Sequence, residues 1–172
     1  AITLTQMNDG LDTSAMEFYS GDITANFATD TNPGISGGLQ DNGSPLFQWN
    51  GAPGEATWQL RNGGDGMYSV IEPISDNRIY QESQNAGMRL FNGFSDTTAV
   101  NAAGAWGADR LSFVFPYTIN KWGDCTDTDG DNFGCENMIA GTYRVWETIQ
   151  GAQPTSTWLI NSPDLTKGPA AP

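Results

Sequence analysis

The chain contains no histidine among its 172 residues. Without imidazole, a Ser-His-Asp triad, a Cys-His pair and a histidine-ligated zinc site are all excluded. Basic residues are also scarce, since 7 Lys and Arg stand against 20 Asp and Glu, and the formal net charge is -13. This charge excludes nucleic-acid binding through a basic surface and disfavours contact with an anionic lipid surface. No apolar run reaches the roughly 18 residues that a membrane-spanning helix needs.

Cysteine is rare as well, with only Cys125 and Cys135 in the chain. An even pair on either side of an acidic loop is typical of a disulfide, and disulfides persist in oxidising compartments. The sequence therefore predicts an extracellular or periplasmic protein. The segment that begins at Ala1 lacks the cationic and apolar regions of a signal peptide, so we expect a cleaved leader or a trimmed chain. Asn42 begins an Asn-Gly-Ser glycosylation sequon, and its use stays open.

Short strands separated by tight turns dominate the middle of the sequence. Asn-Gly and Asp-Gly pairs recur there, and such pairs supply the positive φ angles of tight turns. The segments between them are rich in β-branched and aromatic residues, as strands are. The last two segments, 142–149 and 155–160, are expected to form a hairpin. The predicted strands are 56–60, 67–71, 88–91, 110–119, 142–149 and 155–160. No internal repeat is apparent.

The N-terminal segment has a different period. Its apolar residues recur every three or four positions, as on one face of an amphipathic helix. They are Leu4, Met7, Leu11, Ala15 and Phe18. This spacing predicts that residues 1–27 are mostly helical, and a strand at 2–5 is the open alternative. The polar, glycine-rich segments 29–45 and 92–109 are predicted to be loops.

The whole pattern predicts one α+β domain over residues 1–162. Its N-terminal helix packs on a β-rich part, 56–160, because a short amphipathic helix must bury its apolar face on something. The tail, 163–172, is rich in proline and has little to bury, so we expect an extended or disordered segment there.

The loop 124–136 carries the most specific chemical pattern, Asp-Cys-Thr-Asp-Thr-Asp-Gly-Asp-Asn-Phe-Gly-Cys-Glu. Oxygen ligands at alternating positions suit calcium. The loop resembles the first half of an EF-hand loop, and it also resembles the Excalibur module and thrombospondin type 3 repeats. It departs from them at Asn132, where those families have glycine, and at Met138, the twelfth EF-hand position. The resemblance implies a structural calcium ion, and the open alternative is a metal-free acidic turn. The candidate ligands are Asp127, Asp129, Asp131, Phe133 and Glu136.

Six tryptophans are candidates for a sugar-stacking platform, with core packing as the alternative. Trp106 and Trp122 lie in glycine-rich or loop-flanking sequence, so we expect them to be exposed and to bind a surface glycan. The 20 acidic residues could supply the paired carboxylates of a glycoside hydrolase, but no motif singles out a pair.

Two segments resemble minor type IV pilins and minor pseudopilins. Residues 7–23 resemble the helix after the membrane segment of those proteins, where a Leu-x-x-x-Ala-Met-x-x-x-x-x-Asp-Ile pattern recurs. Residues 107–114, Gly-Ala-Asp-Arg-Leu-Ser-Phe-Val, resemble the strand that follows a glycine-rich loop in the family. The resemblance implies a pilin-like α+β fold, with a helix lying across an antiparallel sheet and a hydrophobic half-helix missing ahead of Ala1.

The sequence therefore predicts a non-enzymatic, extracellular subunit of a type IV pilus or secretion pseudopilus, acting in assembly, priming or adhesion. Its partners would be other pilin or pseudopilin subunits, and it would meet a membrane only through the missing N-terminal segment. Two alternatives stay open: a secreted, calcium-stabilised carbohydrate-binding module, and a hydrolase domain that uses two carboxylates.

Overall fold

The regular secondary structure of the described residues is almost entirely β-strand. A computed structural model describes residues 17–49, 58–104, 106–122, 125, 130, 134–153 and 157–166. These residues form three four-stranded antiparallel sheets, with one short 3₁₀ turn at Trp106–Ala108. Within these ranges, no helix is long and apolar enough to cross a membrane.

The strands follow one another in chain order. The first sheet contains β1 (Phe18–Ile23), β2 (Gly34–Leu39), β3 (Ser44–Gln48) and β4 (Gln59–Asn62). The second contains β5 (Gly66–Ile71), β6 (Arg78–Ser83), β7 (Gly87–Asn92) and β8 (Val100–Asn101). The third contains β9 (Tyr117–Ile119), β10 (Met138–Gly141), β11 (Val145–Thr148) and β12 (Leu159–Ile160). Each sheet is a meander in which every strand pairs with its chain neighbour. Because β1 lies against β5 and β5 against β9, the sheets stack with the second in the middle.

The second sheet is buried on both faces. On its face toward the first sheet lies a cross-strand row that we call the backward row, formed by Ile71, Ile79 and Phe91. On its face toward the third sheet lies the forward row, formed by Val70, Tyr80 and Leu90. Leu46 of β3 packs on the backward row, and Tyr117 and Met138 of the third sheet belong to the core that contains the forward row. The apolar area that these rows remove from water is the main source of stability.

Side chains of β1 accept hydrogen bonds from main-chain N–H groups at the edge of β5. Ser69 donates its main-chain N–H to Ser20 Oγ at 2.8 Å, and Ile71 donates to Asp22 Oδ2 at 2.7 Å. The same Asp22 oxygen pairs with Lys121 Nζ, which follows β9. Asp22 therefore connects the first strands of all three sheets, and it covers main-chain groups that an edge strand would otherwise expose.

The predicted α+β, pilin-like fold is wrong. The described residues contain no α-helix, and the strand Phe18–Ile23 occupies part of the segment 1–27 that was predicted to be helical. The physical reason is the polar inner face of this strand, whose Ser20 and Asp22 bond the main chain of β5. The rest of the predicted helix, and the alternative strand at 2–5, lie outside the described residues.

The predicted loop 29–45 is wrong over Gly34–Leu39, which forms β2. The glycines there allow close approach, since a Cβ on Gly38 would lie 1.8 Å from the carbonyl oxygen of Met67. Each of the six segments predicted to be strands contains a strand, although 110–119 contains only the three-residue strand Tyr117–Ile119. β3, β6, β8 and β10 were not predicted, and the predicted loop 92–109 is wrong over β8, Val100–Asn101.

Candidate functional site

The predicted disulfide is confirmed between Cys125 and Cys135, whose Cα atoms are 4.3 Å apart. The cystine indicates an oxidising compartment, extracellular or periplasmic. Cys135 is buried in the core between the second and third sheets, so the bond fastens one end of the acidic loop to the protein interior.

A buried carboxylate holds this end of the loop in place. Glu72, directly after β5, accepts the main-chain N–H of Cys135 at 2.8 Å and that of Ser75 at 2.7 Å. The carboxylate also accepts the N–H of Ile74 at 2.9 Å. Such charge-assisted bonds are stronger than neutral ones. Sequence reasoning missed Glu72, because no pattern distinguishes it from the other acidic residues.

Glu136, a predicted calcium ligand, is buried and paired with an arginine. Its Oε1 lies 3.4 Å from Nη1 of Arg78 on β6, and both side chains are almost fully buried. The pair joins the end of the disulfide loop to the second sheet. Removing one member of such a pair leaves an uncompensated buried charge, which is strongly destabilising.

The other predicted ligands lie outside the described residues. These are Asp127, Asp129, Asp131 and Phe133. In the part of the chain that is described, no three acidic or sulfur-bearing side chains converge as a metal cluster. Calcium binding at this loop stays a prediction.

The two predicted glycan-stacking tryptophans have opposite environments. Trp106 is 2% exposed, and its ring centroid lies 4.8 Å from that of Phe115 and 5.0 Å from that of Trp158. Its predicted exposure is wrong, because the 3₁₀ turn directs the ring into the core. Trp122 is 91% exposed, as predicted.

A groove of about 370 Å³ lies beside Trp122 on the third sheet. Its walls include the amide side chains of Asn120 and Asn137, the carboxylate of Glu147 and the apolar Ile139. The volume falls in the range of about 300 to 1,000 Å³ that small-ligand sites occupy. An aromatic ring beside amide and carboxylate groups can contact a molecule that has both apolar and hydroxyl surfaces.

Exposed apolar side chains also remain on the outer faces of the first and third sheets. The outer row of the third sheet pairs across its strands and consists of Thr118, Ile139, Glu147 and Leu159. Ile139 is 49% exposed and Leu159 63% exposed, and Val145 and Ile139 line a second groove of about 350 Å³. The outer row of the first sheet consists of Ile23, Ile35 and Phe47. The Phe47 ring lies 5.2 Å from that of Trp58, which extends this apolar face.

Two acidic residues, Asp41 and Asp65, are in contact beside the first turn of the first sheet's inner hairpin. Asp41 lies in the turn between β2 and β3, and its N–H donates to Asp65 Oδ1 at 2.8 Å. A hydrogen bond to the Asp65 carboxyl and repulsion from its charge raise the pKa of Asp41. The hydrogen bond between the two residues runs from main chain to side chain, and it holds the turn against the segment that leads into β5.

Glu82 is a buried carboxylate between the second and third sheets. Its Oε1 accepts the N–H of Phe115 at 2.9 Å, and its Oε2 accepts the N–H of Tyr68 at 3.3 Å. Burial raises the pKa of Glu82 to about 8, although these main-chain bonds act in the opposite direction. Its contacts are with the protein's own main chain, so we assign it a structural role.

No protein-family model, curated protein or solved structure matches this chain. The family resemblances described above therefore stay predictions.

Proposed function

We propose that the chain is a non-enzymatic module of an extracellular assembly, in which its outer sheet faces pack against other sheets. The observation that carries this proposal is the exposure of Ile23 on the outer face of the first sheet and of Ile139 and Leu159 on the outer face of the third. Exposed apolar side chains that lie together on one face are typical of interaction sites. The cystine supports an extracellular setting, because disulfides persist in oxidising compartments.

The assembly proposal keeps part of the function predicted from the sequence. The pilus or pseudopilus version required an N-terminal helix packed on a sheet, and β1 removes that arrangement for Phe18–Ile23. Packing through sheet faces replaces it. A structural calcium ion in the disulfide loop stays part of the proposal.

The test is sedimentation of the purified chain over a wide range of concentrations, compared with Ile139→Lys. We expect the wild-type chain to associate and the variant to dissociate, because a lysine at position 139, even with Glu147 opposite it, must lose its water when the contact forms, and this desolvation costs more than burying isoleucine. The variant also lowers the net negative charge, so dissociation cannot come from added repulsion. Ile74→Lys is the matched control, since Ile74 is exposed in the turn after β5 and lies off both rows. A wild-type chain that stays monomeric throughout would contradict the proposal.

A second candidate function is glycan binding at the groove beside Trp122. The exposed ring favours it, and the net charge of -13 favours neutral sugars over anionic ones. The probe is a panel of neutral oligosaccharides, followed by calorimetry. We expect Trp122→Ala to weaken binding about tenfold or more, and Trp49→Ala, another exposed tryptophan, to leave it unchanged. A wild-type protein that binds no sugar in the panel, or equal affinities for wild type and Trp122→Ala, would rule this candidate out.

A further inference from the structure

The three sheets repeat one design. Each is a four-stranded antiparallel meander in chain order, and the sheets stack through their faces with their first strands together. Repeated four-stranded sheets arranged in this way are the blades of β-propellers, which close a ring with about four to eight of them. The described residues form three such sheets.

Side-chain rows at equivalent positions show how successive blades pack. Each sheet has a row at the positions of the backward row of the second sheet. In each sheet this row contains the last residue of the first strand, a residue at the start of the second strand and a residue at the end of the third. In the third sheet this row is Ile119, Met138 and Thr148, and in the second it is Ile71, Ile79 and Phe91. Both rows are buried against the preceding sheet. In the first sheet the equivalent row is Ile23, Ile35 and Phe47, on which no further described sheet packs.

The forward row is the matching set on the opposite face. In the first sheet it is Asp22, Ser36 and Leu46, and in the second it is Val70, Tyr80 and Leu90. Each packs on the following sheet. In the third sheet the equivalent row is Thr118, Ile139, Glu147 and Leu159, and it lies on the outer face.

We infer that a second copy of this chain covers both outer faces, with the first sheet of each copy packed on the third sheet of the other. This inference rests on the proposed assembly function and names its partner. The contact continues the packing already present inside the chain, where the backward row of one sheet meets the forward row of the sheet before it. Two such contacts related by a two-fold axis close a ring of six sheets, which lies within the propeller range.

The closing experiment is sedimentation equilibrium on wild type, Ile23→Lys, Ile139→Lys and an equimolar mixture of the two variants. We expect a wild-type mass twice the 18.5 kDa of one chain. Each variant should raise the dimer dissociation constant by about a hundredfold, since a lysine is introduced into both contacts. The mixture should associate more tightly than either variant alone, because an intact first sheet then meets an intact third sheet. Ile74→Lys should dimerise as wild type does. A cooperative thermal melt establishes that each variant is folded, at a lower midpoint for a variant that has lost its partner.

The other outcomes separate this inference from the assembly function. A species larger than a dimer, or an open-ended polymer, overturns ring closure but leaves the assembly function standing. If Ile139→Lys dissociates the dimer while Ile23→Lys does not, third sheets pair with each other and the inference is wrong. A chain that is monomeric alone, and is captured only by a different protein, overturns the pairing between copies.

Discussion

Replacing Glu82 with glutamine is expected to change how stability depends on pH. Burial raises the pKa of this carboxyl from 4.5 to about 8. Between those pH values the folded protein holds a proton that the unfolded chain has released, so stability falls as pH rises through the window. The difference of about 3.5 pH units corresponds to at most about 5 kcal/mol, at 1.36 kcal/mol per unit.

Glutamine removes the titrating group and keeps an oxygen that accepts the N–H of Phe115. We therefore expect Glu82→Gln to gain stability relative to wild type steadily from pH 4.5 to pH 8. The assay is urea unfolding of both proteins across this range, followed by tryptophan fluorescence. Glu17→Gln, at the exposed start of the first sheet, controls for the loss of one negative charge. A stability difference between Glu82→Gln and wild type that does not vary with pH would refute the reasoning.

The remaining predictions concern close packing, the cystine and calcium. Gly38→Ala should lower the free energy of unfolding in urea by about 1 to 3 kcal/mol, because the added Cβ would overlap main chain of the second sheet. Gly63→Ala is the control, since the space around Gly63 is open, and it should unfold as wild type does. Equal urea midpoints for the two variants would contradict this prediction. Replacing Cys125 and Cys135 together by serine should lower the free energy of unfolding by about 3 kcal/mol, because the unfolded chain is then no longer closed into a loop across a separation of 10 residues. An unchanged urea midpoint would exclude this stabilising effect of the disulfide. Calcium should raise the melting temperature of wild type but not of Asp129→Ala, and identical wild-type melts with calcium and with chelator would remove the site.

β5, β7 and β11 could be predicted from sequence because their segments are rich in apolar, aromatic and β-branched residues and lie between turn signals. β2 could not, since its Gly-Ile-Ser-Gly-Gly-Leu sequence has the composition of a loop. Glycine is needed in β2 because residues distant in the chain pack directly against its main chain. A Cβ on Gly34 would lie 2.0 Å from the Phe94 ring. Close approach between sheets leaves no local signal in the sequence.

The N-terminal prediction failed for a related reason. The apolar residues up to Phe18 have the period of a helix, but Phe18 and the next residues belong to a strand whose inner side chains are polar. Ser20 and Asp22 are favourable there only because they meet the free main-chain groups of β5. A polar residue that bonds a distant strand edge looks, in sequence, like any solvent-facing residue.

The candidate site was predicted in part. The cystine and the exposure of Trp122 followed from spacing and flanking sequence. The Arg78–Glu136 ion pair did not, because its members are 58 residues apart and the acidic loop offers several equivalent carboxylates.

The equivalence of the three sheets was missed as well. Ile23, Ile71 and Ile119 occupy one equivalent position, but an isoleucine alone is a weak signal. The neighbouring position in the opposite row changes from Asp22 to Val70 to Thr118, so no common pattern marks the repeat.

The meander order bears on how the polypeptide acquires its structure after export. Every described strand pairs with a strand adjacent in the chain, so each hairpin closes a short stretch of polypeptide at a small cost in chain entropy. The cystine likewise joins positions only 10 residues apart, and its oxidation does not wait for distant segments to meet. A chain emerging unfolded into an oxidising space can therefore build its sheets in the order of synthesis, each one serving as the surface on which the next condenses.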